Sequence, residues 1–178
     1  MRILVTGFEP FGGAETNISR IVMDGIQEEV EKVLLPVSFR NAPLVLQQAI
    51  RDIHPDVMIM LGQCGEEEKI RLERFAVNLM DSAKGDNDGY RPNEKTIDAN
   101  APLALRTCLN IKQLQRECVN AGLPVILSNS AGLYVCNRIF WEALRYTDKA
   151  LFVHIPKNID MDVARKAISH IIKQFKLV

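Results

Sequence analysis

Five short runs of Val, Ile, Leu and Met, continuously apolar rather than alternating, constrain this chain more than any other feature. They lie at 2–7 (RILVTG), 32–39 (KVLLPVSF), 56–62 (DVMIMLG), 124–129 (PVILSN) and 150–155 (ALFVHI). Strands of this kind need cover on both faces, as in a mostly parallel sheet. The cover is present: 42–53, 110–122, 137–147 and 161–175 carry apolar residues at spacings of three and four, which puts them on one face of a helix. The alternation predicts an α/β fold, a single-domain three-layer sandwich whose mostly parallel (mixed) sheet has helices on both faces. With 178 residues, no repeat and no linker, residues 1–178 are read as one domain with one substantial core.

Between 81 and 102 the periodicity lapses into a stretch rich in Gly, Asn, Asp and Pro, read as a long loop. GEEEK, at 65–69, reads as a solvated charged turn. Two motifs that suggest ligands fail on spacing. In GFEPFGG the glycines Gly7, Gly12 and Gly13 do not make G-x-G-x-x-G, and Phe8 and Phe11 would obstruct a pyrophosphate. DNDG, read as a calcium loop, puts Lys84 and Lys95 where carboxylates are required.

A 47 % apolar fraction, 25 % charged residues and zero net charge imply no general attraction to nucleic acid or anionic membranes. No apolar run approaches the ~20 residues of a membrane span, and MRILVTG reads as a first strand rather than a signal peptide. A cytoplasmic protein with neither nucleic-acid nor membrane partner is expected. Cys64, Cys108, Cys118 and Cys136 form no C-x-x-C pair, and His54, His154 and His170 are not spaced to join them. Reduced thiols and no metal site follow.

One cysteine stands apart. In SNSAGLYVCN, Cys136 follows a strand and a run of small residues and opens the helix at 137–147. There the helix dipole and free amides favour a thiolate and could hold an oxyanion. His154 ends the strand at 150–155. If strands 124–129 and 150–155 are parallel neighbours, about 5 Å apart, thiol and imidazole reach the same sheet edge as nucleophile and base. Taken singly, a cysteine is more often a small hydrophobe and a histidine a satisfied polar group, and pattern leaves both readings open. For a third member that orients the imidazole, pattern selects no acid. Glu73, in LERFAVN, reads first as an edge-strand partner of Arg74 facing solvent.

These residues fall in three separated blocks: VTGFEPFGG with Asn17 and Ser19 behind it, LERFAVN, and SNSAGLYVCN followed by HIP. In order and spacing they resemble the pyroglutamyl peptidase I family of cysteine peptidases, also called pyrrolidone-carboxylate peptidases, from Val5 to Pro156. The resemblance implies an α/β sandwich and an omega peptidase that removes N-terminal pyroglutamate (5-oxoproline) from peptides by Cys-His-Glu catalysis, without metal or organic cofactor. It puts the nucleophile on Cys136, the base on His154 and the acid on Glu73, against the solvent-facing reading of that residue. It also implies a substrate pocket made by Phe8, Phe11, Asn17, Gln63 and Tyr134. A pyroglutamyl ring is flat, neutral and mostly apolar, so aromatic rings can clamp its faces while polar neighbours bind the lactam. Pyroglutamyl peptides are then the partners, and a homo-oligomer is allowed.

The chain departs from the family in three places. Asn17-Ile18-Ser19 stands where the family reads Asn-Pro-Ser, and Ser82-Ala83-Lys84 where an arginine is expected. HIPKNIDMDVARK passes almost directly into the last helix, where family members are typically longer. Two other readings stand beside the peptidase: a non-catalytic homologue that holds pyroglutamyl or similar small amides, and, by fold analogy alone, a nucleoside-binding transferase.

Overall fold

The computed structural model describes residues 1–65 and 68–176, so the middle of the charged turn at 65–69 lies outside the described residues. In chain order the elements are β1 (Ile3–Phe8), α1 (Ile18–Asp24), β2 (Glu31–Leu35), α2 (Asn41–Ile53), β3 (Val57–Cys64), β4 (Ile70–Glu73), β5 (Phe75–Val77), β6 (Leu79–Met80), β7 (Lys95–Thr96), β8 (Ala104–Arg106), α3 (Ile111–Asn120), β9 (Val125–Ser128), α4 (Val135–Tyr146), β10 (Ala150–Pro156) and α5 (Met161–Lys176).

Six strands make the central sheet in the order β2-β1-β3-β10-β4-β9. The first four are parallel. β4 runs antiparallel to β10 and parallel to β9, so the last two oppose the rest. Side chains alternate between two cores because successive strand residues point to opposite faces. Ile3, Val5, Ile59, Leu61, Leu151 and Val153 pack with residues of α1, α3 and α5. Leu4, Met58, Met60 and Phe152 pack with residues of α2 and α4. The three layers of the α/β sandwich follow, and every residue of β1 and β10 is buried.

One expectation is corrected. The strands at 124–129 and 150–155 are not neighbours and not parallel: β4 lies between β9 and β10, and β9 opposes β10. β4 begins after a five-residue connection from β3 and runs in the opposite direction. It lands two places from β3, and the later β10 fills the slot between them.

The loops that follow β1 and β6 are tied down rather than loose. At Gly7 a β-carbon would meet Ser19 O at 2.9 Å, so only glycine lets α1 lie this close to β1. The Asn17 side chain caps α1 by accepting from Ser19 N. In the 81–102 loop, buried Asp86 accepts from the amides of Phe39, Asp88 and Tyr90, and Asn87 Nδ2 donates to Pro10 O. The DNDG stretch thus spends its Asp86 carboxylate on backbone. No helix among the described residues is long and apolar enough to cross a membrane.

Candidate active site

Topology sets one row of side chains. Register pairs Gly62 with His154 and His154 with Arg71, while Phe152 pairs with Glu73. Residues directly opposite, and those two apart on one strand, share a face. Gly62, Phe152, His154, Arg71 and Glu73 therefore all lie on the face packed by α2 and α4. Within that row His154 Nδ1 lies 2.7 Å from Glu73 Oε1, with both side chains buried. The Phe152 ring lies against the imidazole, centroids 4.8 Å apart. Glu73 is fully buried in an interior strand and does not pair with Arg74, whose guanidinium donates to Asn129 Oδ1. The solvent-facing reading of Glu73 is overturned.

Cys136 comes from the other layer. After β9 the chain passes through residues 129–134, with small Ser130, Ala131 and Gly132 among them and Gly132 at φ +79°, into the first turn of α4. Its sulfur sits 3.0 Å from where a Gly62 β-carbon would be, above the strand that pairs with His154. Thiol and imidazole thus sit over neighbouring positions of one sheet face, the thiol brought there by α4 packing on that face and not by a strand next to β10. Tyr134 caps α4 with no side-chain bond to the first turn, so the leading amides keep their donors near the sulfur.

Cys136 is partly exposed as a residue, yet poor solvation of its thiol pushes it up to about 12. The negative charge of Glu73 and neighbouring Cys64 act in the same direction, while its own backbone N–H and Arg71 oppose them. The helix end does not outweigh poor solvation, and the expected resting thiolate gives way to a neutral thiol.

Beside the sulfur lies a small pocket with about 290 Å³ of unfilled space, mouth included. Phe8, Phe11, Asn17, Gln63 and Tyr134 all line it, together with Val37, Val135 and Cys136. Each predicted pocket residue is brought to one place, but their duties differ. Tyr134 stands between Phe11 and Phe39, centroids 6.2 and 5.2 Å away, with its hydroxyl donating to Gly85 O. Asn17 is buried and occupied: its Oδ1 accepts from Ser19 N and Oγ, and its Nδ2 donates to Glu9 O. Gln63 Oε1 accepts from Ile18 N at 3.1 Å, and its NH2 group makes no bond to protein among the described residues. Sequence reasoning missed Gly62, Val37, Val135 and the prop Phe39. Their only local signals were small size and apolarity, which most core residues share. No cluster of His, Cys, Asp or Glu among the described residues could hold a metal.

An α/β sandwich with a thiol, an imidazole and a buried carboxylate gathered over one sheet face has the layout of a cysteine hydrolase. The chain belongs to the pyroglutamyl peptidase family, whose profile matches residues 1–169. A pyrrolidone-carboxylate peptidase of Thermococcus kodakarensis is 39 % identical over 88 % of this chain and 81 % of its own length. One from Thermococcus onnurineus is 35 % identical over 100 % of this chain and 96 % of its own. The crystal structure of the pyrrolidone carboxyl peptidase from Fervidobacterium islandicum superposes with a TM-score of 0.93 at 31 % identity, covering 99 % of each chain.

Proposed function

We propose that this family member removes an N-terminal pyroglutamyl residue from peptides as a cysteine hydrolase, with Cys136 as nucleophile, His154 as base and Glu73 as the orienting acid. The observation that carries the reading is the buried 2.7 Å contact of His154 Nδ1 with Glu73 Oε1, in the same row as the glycine on which Cys136 Sγ rests.

With Nδ1–H donating to Glu73, Nε2 is the lone-pair nitrogen and can accept the thiol proton. Because the resting thiol is neutral, proton transfer to His154 accompanies attack of Sγ on the pyroglutamyl carbonyl carbon. The amides of Val135 and Cys136 at the start of α4 are donors for the oxyanion that forms. Collapse breaks the C–N bond, His154 returns the proton to the leaving amine, and water then hydrolyses the thioester with His154 again as base. Phe8, Phe11 and Tyr134 enclose the ring, the Gln63 NH2 donates to the lactam oxygen, and Asn17 holds the loop that carries Phe11. Pyroglutamyl peptides are the partners, and the whole chain acts as one catalytic domain in the cytoplasm. The gathering of thiol, imidazole and buried carboxylate supports hydrolysis over a merely binding homologue.

Matched pyroglutamyl and prolyl amides test the pocket. A prolyl residue lacks the lactam oxygen and brings a charged ring nitrogen, leaving the Gln63 donor unpaired. Sites built around one polar group reject analogues without it by about 10⁴-fold. Steady-state kinetics should show kcat/KM strongly in favour of the pyroglutamyl amide. Equal values would mean that the pocket reads ring shape alone.

A further inference from the structure

The catalytic row contains one charged side chain that the reaction above does not use. Arg71 lies two residues before Glu73 on β4, hence on the same face, and directly across from His154 in the antiparallel register. Its Nε is 3.4 Å from Glu73 Oε1, the same oxygen that His154 Nδ1 meets at 2.7 Å. About a quarter of the Arg71 side chain is exposed, against none of Glu73. The other carboxylate oxygen, Oε2, is buried without a hydrogen bond among the described residues. A fully buried carboxylate needs paired charge, and here imidazole and guanidinium meet it at one oxygen.

We propose that Arg71 is a positioning residue of the hydrolytic site, whose guanidinium shares Glu73 with His154 and sets how readily charge passes between imidazole and thiol. The inference rests on the Cys136, His154 and Glu73 reading above. A fixed positive charge beside the pair opposes a second one on the imidazole. It also favours negative charge on sulfur, and Arg71 is indeed the side-chain charge that pulls the Cys136 thiol down. Among the described residues, the charged and titratable groups facing this cluster are Arg71 and Glu73 from β4, His154 from β10, Cys64 at the end of β3, Cys136 from α4 and Tyr134 just before it. Arg138, two residues after Cys136 on α4, is engaged by Glu142 at 2.7 Å.

Two readouts on the full chain test this, in the wild type, Arg71→Met and Arg71→Lys. The first is the acidic limb of kcat/KM against pH on a pyroglutamyl amide. The second is the rate of Cys136 alkylation by iodoacetamide at about pH 9, followed by mass spectrometry of the Cys136 peptide. A neighbouring charge typically moves a titration by 1–3 units, reduced here to about 0.5–1 by partial exposure. Arg71→Met should move the acidic limb to higher pH by that amount and slow alkylation about 3–10-fold. Arg71→Lys, which keeps the charge, should stay within about twofold of wild type. A role in packing alone would lower the rate without displacing the limb, and Lys would not rescue it. An unmoved limb and unchanged alkylation in folded Arg71→Met overturn the inference, as does Arg71→Lys behaving like Arg71→Met. If the Met variant does not fold, Arg71→Gln takes its place, and a displaced limb in folded Arg71→Lys also overturns it. Failure of the wild type to hydrolyse pyroglutamyl amides removes the peptidase reading instead, while the alkylation arm still reads Arg71.

Discussion

Gly62 shows how tightly the site is built. A β-carbon there would lie 2.7 Å from Phe152 Cε1 and Cζ and 3.0 Å from Cys136 Sγ, and the same Phe152 ring supports His154. Gly62→Ala should therefore lower kcat by at least about tenfold, with KM less affected, at a stability cost of about 1–3 kcal/mol. Wild-type kcat in a folded Gly62→Ala enzyme would show that sulfur and imidazole tolerate the shift. The resting thiol gives a second test. Pushed up to about 12, Cys136 is mostly neutral well below that pH, and its small thiolate fraction grows about tenfold per pH unit. Alkylation of the free enzyme should keep climbing through about pH 9, whereas a plateau reached by neutral pH would indicate a preformed thiolate. Cys136 and His154 were legible as types at element ends. Glu73 was not, because a buried carboxylate and a solvated one look alike in the string IRLER. What distinguishes them is the partner across the sheet, and register is not written in local sequence. Resemblance to the family was the only route to it.

At the level of elements, the long apolar strands and the four amphipathic helices were readable to within two residues at most ends, but α1 and the two- and three-residue strands β5 to β8 went unread, and β4 was read only as a solvent-facing edge strand. β4 is four residues long and alternates Ile70 and Leu72 with Arg71 and Glu73, which suggests one wet face although both are covered. α1 is seven residues long, too short for periodicity to register. Its start explains the departure at position 18. The Ile18 N–H donates to Gln63 Oε1, a bond that proline could not make. Asn17 already has φ −131° and ψ 124°, which suits a following proline, and proline is well tolerated at the first helical position. Ile18→Pro should leave α1 intact yet free the Gln63 side chain, raising KM several-fold, on the order of one lost hydrogen bond of about 1 kcal/mol, with kcat near wild type. An unchanged KM alongside native circular dichroism would mean that Gln63 is held by other contacts.

For the molecule as a whole, the mixed sheet brings the parts together. Four parallel strands end at the edge where the aromatic loop after β1 and the Gln63 end of β3 meet, and the reversed β4 delivers its acid beside β10. α4, packed on the same face, lowers a thiol onto Gly62. Composition and periodicity led to the sandwich, but its strand order arises from long-range packing that no window of sequence contains. Everything proposed for the site depends on the Cys136 sulfur. Its most direct test is an acid-quenched single-turnover reaction with a pyroglutamyl amide, peptide-mapped in wild type and in Cys136→Ser. The wild type should carry a pyroglutamyl thioester on Cys136. The serine variant, with a far weaker nucleophile in a site shaped for sulfur, should show neither that adduct nor turnover above about a thousandth of wild type. Comparable turnover in Cys136→Ser, or an acyl group found on another residue, would contradict it.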